Sequence, residues 1–281
     1  MASTAPPLLP CCPPGSHGPL PPSSAPLRGA MVALDGGVEA YVVHPPPPHG
    51  PPAGAIVFCH DIMGLRGGRT RHVCDDLAAL TGCDVVCPNL FLEGPWATRL
   101  SVLGVWGTLK VLPSFLRWMV RQRAGPALRA VAAAVALYPE ATPVGLFGTC
   151  YGGWVCLEAA RRGSPLSARL RCIALAHPSP ELALLHCQSP AALIRDLHPA
   201  TPCLCVAAGN DRAMVHPGGL LEKSRAKGRG PEFVRVLAFS DQRHGWVSRG
   251  DWAEDPSIRT AYDAALGHAQ RFFGAHMVTA G

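Results

Sequence analysis

From residue 53 onward, short apolar runs alternate with longer stretches of helical periodicity. The runs "AIVFC" (55–59), "DVVCP" (84–88), "PVGLFG" (143–148), "LRCIALAH" (170–177), "PCLCVAAG" (202–209) and "FVRVLAF" (233–239) are apolar at nearly every consecutive position. Strands of that kind are covered on both faces, which is the habit of parallel sheets. Between them lie helical patterns. Val73, Leu77 and Leu80 fall on one face of the first, an Ala-rich helix is expected near 127–137, and "YGGWVCLEAARRG" opens directly from the "PVGLFG" run. Ile258, Tyr262, Ala265, Ala269 and Phe272 share a face of a closing helix, and an earlier strand is expected over 38–43. Strands alternating with helices predict an α/β domain with a mostly parallel sheet and helices on both faces. No internal repeat is visible.

Composition adds boundaries to this pattern. Residues 1–30 are dominated by Pro, Ser and Ala, with no acid before Asp35, so they are expected to form a disordered tail ahead of a single domain over 31–281. The tail has one Arg, which leaves a cytoplasmic location as the expectation and an organellar one as the alternative if it is a transit peptide. "HPPPPHGPP" (44–52) reads as a rigid connection between the strand at 38–43 and the next. The segment 100–120 is apolar but interrupted by Lys110, Pro113 and Arg117, short of the roughly 20 uninterrupted residues of a membrane span. It is expected to be a buried or lid-like helical segment, with no stable membrane insertion. The net charge of +6 is scattered in clusters such as "RGGRTR" and "KSRAKGR", and aromatic residues are 6% of the chain, so nucleic-acid binding is not expected. Twelve cysteines show no disulfide framework and suit a reducing compartment. No metal or other cofactor is expected; Cys203 and Cys205, two apart in a strand-like run, are assigned to opposite faces.

The chemistry gathers around "GLFGTCYGGW" (145–154). A strand that enters a helix through a Gly-x-nucleophile-x-Gly turn lifts the central side chain above the sheet edge, and Gly148, Cys150 and Gly152 fit that spacing. Cys150 is then a nucleophile at a helix N-terminus, or else a packing residue in a tight turn. A nucleophile needs a base and an orienting acid, which follow in that chain order in α/β-hydrolases as acid and then His. Asp211 ends an apolar run in "AGND", and His244 lies in the polar loop "FSDQRHGWVSR" after the next run. His60, His72 and His177 are assigned supporting or buried roles. The early loop "HDIMG" is placed to supply an oxyanion-hole amide from Ile62, the other amide coming from Tyr151. Asp61 in that loop then lies close to the thiol, or simply caps the turn.

Together "HDIMG", "GTCYGG", "AGND" and "FSDQRHGWVSR" resemble the dienelactone hydrolase family, especially its animal-type carboxymethylenebutenolidase homologues, over roughly residues 31–275. The resemblance implies an α/β-hydrolase fold and a Cys150, Asp211 and His244 triad acting on a small-molecule ester or lactone, without a cofactor. It further implies that Asp61, where bacterial members carry Glu, contacts the resting thiol, and that Arg249 helps to hold a substrate carboxylate. A second arginine of the family is missing: "PNLFLEG" puts Glu93 near its place, which changes the substrate expected. Rival readings are a non-catalytic small-molecule binder, a partner-binding protein using the proline-rich tail, and a redox protein. The last needs a resolving thiol near Cys150, and Cys156 is expected inside the helix and turned away.

Overall fold

The computed structural model describes residues 11–21, 25–47, 50, 52–91, 113–114, 117–118, 120–121, 123–226, 229–230 and 232–277. Glu93 and most of the 100–120 segment lie outside the described residues, as do positions 48, 49 and 51 of the proline-rich connection. Eight strands form one sheet: β1 (Ala30–Ala33), β2 (Glu39–Val43), β3 (Ala55–Cys59), β4 (Asp84–Pro88), β5 (Val144–Thr149), β6 (Leu170–Ala176), β7 (Cys203–Ala208) and β8 (Val234–Phe239). Their spatial order is β1-β2-β4-β3-β5-β6-β7-β8. The β1–β2 and β2–β4 pairs are antiparallel and all other pairs parallel.

Period-two alternation sends the two sides of each strand into separate cores. Ala55, Val57 and Cys59 join one core, while Ile56 and Phe58 join the other. The first core packs under α2 (Ala124–Val135), α3 (Tyr151–Ala159), α4 (Pro190–Arg195) and α5 (Leu220–Ala226). The second packs under α1 (Thr70–Thr81), α6 (Trp246–Arg249) and α7 (Pro256–His276). Each Val, Leu or Phe so buried contributes about 1.5–3 kcal/mol. That is why no polar residue interrupts β3 or β7: either face would bury it.

Two sequence expectations are corrected here. Leu80 is 37% exposed, because the buried face of α1 runs through Val73, Cys74, Leu77 and Ala78, with Gly82 (φ 66) ending the helix one turn later. Cys203 and Cys205 share a face, as residues two apart in a strand must, and both lie in the first core. All five named positions of the closing helix α7 are buried.

The sheet changes winding direction between β3 and β5. From β3 the chain goes to β4 on one side, and from β5 it steps through β6, β7 and β8 on the other. A crevice opens at the carboxyl ends of the strands at such a switch point, which is where ligands bind in open α/β sheets. The loops after β3, β5, β7 and β8 therefore converge on one place.

Candidate active site

Cys150 stands between β5 and α3 with φ 50 and ψ −113, a conformation a non-glycine residue holds at a cost of about 1–3 kcal/mol. Backbone bonds fix it there. Its N–H donates to the carbonyl of Ala176 (3.2 Å), and its carbonyl accepts from Gly153 (3.0 Å) and Ser179 (3.2 Å). The glycine two residues on is required by a close crossing: a Cβ on Gly152 would stand 1.9 Å from the carbonyl oxygen of Cys59. The strained turn therefore aims the thiol off the end of β5 while α3 passes directly against β3.

His244 and Asp211 meet at the ends of β8 and β7. His244 Nδ1 lies 2.6 Å from Asp211 Oδ1, with both side chains essentially inaccessible to solvent. Asp211 is held from behind by the backbone N–H of Ala208 (2.7 Å), and the N–H of His244 donates to Asn210 Oδ1 (2.7 Å). A carboxylate on Nδ1 fixes the tautomer in which Nε2 carries the lone pair, and Nε2 is buried without a hydrogen-bond partner among the described residues. Burial works to lower the proton affinity of His244. The charge of Cys150 and the bond to Asp211 outweigh it and raise that affinity well above the ordinary value. Burial raises the Cys150 thiol in turn. His177, itself at φ 38, packs edge-on to His244 with ring centres 4.9 Å apart, and burial keeps it neutral.

Asp61 is buried at the end of the β3 loop, but its hydrogen bonds and ion pairs do not go to the thiol. Oδ1 accepts from the N–H of Met63 (2.8 Å), the turn cap foreseen as the simpler alternative. Oδ2 accepts from Ser248 Oγ (2.6 Å) and lies 3.1 Å from Arg249 Nε, an ion pair by distance whose N–H is not aligned as a hydrogen bond. A guanidinium buried this deeply needs a counter-charge, and Asp61 is that charge. Replacing Asp61 by Ala is expected to cost about 3–5 kcal/mol in urea unfolding, with an Asp61→Ala, Arg249→Met double variant recovering a large part of the loss. Equal stabilities for the single variant and the parent would remove this role.

The N-terminal tail does not stay clear of the domain. Residues 11–17 cross the crevice: the N–H of His17 donates to the carbonyl of His244 (2.8 Å), and Asn210 Nδ2 donates to the carbonyl of Pro14 (3.0 Å). Arg249 donates from Nη1 to the carbonyl of His17 (2.9 Å) and points Nη2 at Cys12 Sγ (3.5 Å). Composition predicts a disordered tail, because these residues cannot build a core of their own. The tail uses the core of the domain instead, burying Cys11 completely against the site. Cys12 Sγ lies 4.0 Å from Cys150 Sγ, and Ser179 Oγ sits 3.6 Å from the same sulfur. The sulfurs of Cys11, Cys12 and Cys150 lie within 4.8 Å of one another, and among the described residues they form the group able to share a metal ion. Surface hollows of about 540 Å³ beside Arg161 and about 330 Å³ beside Glu140 lie elsewhere.

The sequence profile of the dienelactone hydrolase family matches residues 38–277, most of the chain. The chain belongs to that family. It is thereby a carboxylic ester hydrolase. The carboxymethylenebutenolidase homolog of Homo sapiens is 22% identical over 213 residues, which cover 75% of this chain and 77% of that protein. Among solved structures, the dienelactone hydrolase of Anabaena variabilis superposes with a TM-score of 0.55 at 16% identity, covering 89% of this chain and 99% of that one. A carboxyl esterase of Bacillus coagulans gives 0.57 at 13% identity, covering 91% and 100%. An acylaminoacyl peptidase in complex with Z-Gly-Gly-Phe-chloromethyl ketone gives 0.58 at 16% identity, covering 95% of this chain. This chain spans 43% of that peptidase. These likenesses show the α/β-hydrolase fold.

Within this dienelactone hydrolase family member, several site residues were not legible in the sequence. Ser179, Asn210 and Ser248 touch the thiol, the His backbone and Asp61 respectively, yet the first two sit in loops and the third in the short helix α6, where residue type alone does not announce these contacts. Phe91, Tyr151, Trp118 and His60 form an aromatic wall beside the elbow, with Phe91 4.9 Å from His60 and from Trp118 and 5.2 Å from Tyr151. His60 and His177 are buried supporting residues as expected, whereas His72 lies at the periphery, bonding the carbonyl of Ala25. Among the described residues no helix is long and apolar enough to cross a membrane.

Proposed function

We propose that this protein hydrolyses small lactones or activated esters by two-step acyl transfer through Cys150, His244 and Asp211. The single observation that carries the reading is the buried 2.6 Å His244–Asp211 pair at the ends of neighbouring strands, beside a cysteine held at positive φ on the elbow. His244 takes the thiol proton as the sulfur attacks the substrate carbonyl, and the backbone amides of Ile62 and Tyr151 receive the developing oxyanion. Collapse of the tetrahedral adduct expels the alcohol and leaves an acyl-thioester on Cys150. Water activated by His244 then releases the acid. A thiolate is itself a good leaving group, so attack on an amide would reverse, which favours substrates whose own leaving groups are good.

The aromatic wall favours an apolar acyl or ring portion, and Arg249 favours a carboxylate, once the carbonyl of His17 leaves its Nη1. Glu93 in place of a second arginine argues for a substrate other than the strict dienelactone. The protein acts as one domain over 31–281 preceded by its tail, on a small molecule, without a cofactor or nucleic acid. Its twelve unbridged cysteines suit the cytoplasm.

Asp211 orients the base in this scheme, so Asp211→Asn is expected to lower kcat/KM about 10²–10⁴-fold by presenting the wrong tautomer. The sign of the accompanying pH effect follows from His244. Asp211 helps to raise its proton affinity, so without the carboxylate the imidazolium that stabilises the Cys150 thiolate is lost at lower pH. Alkylation of Cys150 by iodoacetamide then begins only at higher pH than in the parent. An unchanged alkylation profile together with unchanged kcat/KM would remove Asp211 from the mechanism.

A further inference from the structure

The tail brings to Cys150 what the sequence lacked for redox chemistry, a second thiol in contact with it. We propose that Cys12 and Cys150 are a peroxide-reactive thiol pair: a hydroperoxide oxidises Cys12, and Cys150 closes the product to a Cys12–Cys150 disulfide. The activity is thiol-dependent reduction of a hydroperoxide. Its product fastens residues 11–17 across the crevice.

Three observations select this pair. Cys12 is half-buried whereas Cys11 and Cys150 are fully buried, so a small peroxide meets Cys12 first. Its sulfur has Cys150 Sγ 4.0 Å away on one side and Arg249 Nη2 3.5 Å away on another, a cation that favours the thiolate and the developing charge on the leaving oxygen. Cys11 Sγ is nearer, at 3.6 Å, but a bridge between adjacent residues closes an eight-membered ring that forces the intervening peptide out of its relaxed planar trans form. Its partial exposure and the guanidinium beside it make Cys12 the thiol of the three that meets the peroxide first. Cys156, the partner considered from sequence, lies buried within α3.

The steps balance. The Cys12 thiolate attacks the O–O bond of ROOH; an S–O bond forms, the O–O bond breaks, and RO⁻ leaves and takes a proton as ROH. Cys12 is then a sulfenic acid, oxidised by two electrons, and the peroxide is reduced by two. Cys150 gives its proton to His244 and attacks the Cys12 sulfur. The S–S bond forms, the S–O bond breaks, and hydroxide leaves with the proton from His244 as water. A dithiol reductant returns both thiols.

The test uses the reduced full-length chain treated with a small excess of hydrogen peroxide, alkylated and mapped by peptide mass spectrometry without reduction. The expected result is loss of two thiols per chain and a cross-link between the peptides carrying Cys12 and Cys150, reversed by dithiothreitol. The cross-link should persist in Cys11→Ser and vanish in Cys12→Ser and in Cys150→Ser, the last accumulating a dimedone-reactive sulfenic acid on Cys12. Ester hydrolysis, measured alongside, should fall at least tenfold in the parent and recover with dithiothreitol, while Cys12→Ser keeps its own untreated rate. The cross-link map requires no hydrolytic role for Cys150, so failure of the esterase reading would leave it standing. A bridge between Cys11 and Cys12, a bridge to the exposed Cys187, or peroxide consumption with Cys12 and Cys150 both still free would overturn the proposal.

Discussion

Cys150→Ala is expected to lower kcat/KM for p-nitrophenyl acetate by about 10³–10⁶-fold, close to the uncatalysed rate. The magnitude follows from the position of this thiol. It is the side chain that the strained elbow lifts off β5, and the charge on its sulfur acts on His244. Removal of the nucleophile leaves only the oxyanion amides and binding, which support a small residual rate. Cys150→Ser should retain more than Cys150→Ala but remain well below the parent, because the base and its orienting acid are matched to a sulfur that gives up its proton more readily than a hydroxyl. Folding should be untouched by Cys150→Ala, since the small substitution leaves the backbone bonds to Ala176, Gly153 and Ser179 in place. Equal turnover in Cys150→Ala and parent, at equal unfolding midpoints, would mean another group performs the chemistry.

Deletion of residues 1–21 is expected to raise both kcat/KM and the alkylation rate of Cys150 by about 5- to 150-fold. Residues 11–17 bond His244, Asn210 and Arg249 and leave Cys150 with no accessible surface. Substrate must therefore bind a form in which the tail has left. The apparent affinity is reduced by the fraction of that form, tenfold for each 1.4 kcal/mol of docking free energy. A docking energy of 1–3 kcal/mol, the ordinary size of coupling between sites, gives the range stated. The effect should be larger for substrates bearing a carboxylate, because the carbonyl of His17 occupies Arg249 Nη1. Identical alkylation rates for the full and shortened chains would show that the tail does not restrict the site.

The sheet was legible in the sequence because burial on both faces forces uninterrupted apolar runs. β3 and β4 have the bounds that "AIVFC" and "DVVCP" suggest, and α7 buries the five positions its periodicity marks. What the sequence hid had too little apolar pattern to reveal itself. β1 is a four-residue edge strand, largely exposed, and it pairs antiparallel with β2 in a region of weak alternation. The helices α4, α5 and α6 span seven residues or fewer, less than two full turns of periodicity, so their apolar spacing does not repeat enough to be read. Leu80 is exposed because it lies in the last turn of α1, beyond the buried residues Val73, Cys74, Leu77 and Ala78.

At the site, the order Cys150, Asp211, His244 could be read because each falls at the end of an apolar run. The partners of Asp61 could not, since Ser248 and Arg249 reach it from a helix far along the chain. The tail was the largest omission. Its composition excludes a core of its own, but composition says nothing about docking into a crevice that another part of the chain provides.

In the proposed mechanism Cys150 carries the acyl group between the two steps of hydrolysis. The most direct measurement mixes the full-length protein with p-nitrophenyl acetate, quenches in acid within the first turnovers and weighs the intact chain and its peptides. The expected result is a mass gain of one acetyl group on the peptide containing Cys150, released by hydroxylamine, appearing before steady-state product and absent in Cys150→Ala. Steady turnover by the parent with no acyl group on Cys150 at any time, or the same acyl group on another residue in Cys150→Ala at an unchanged rate, would contradict it.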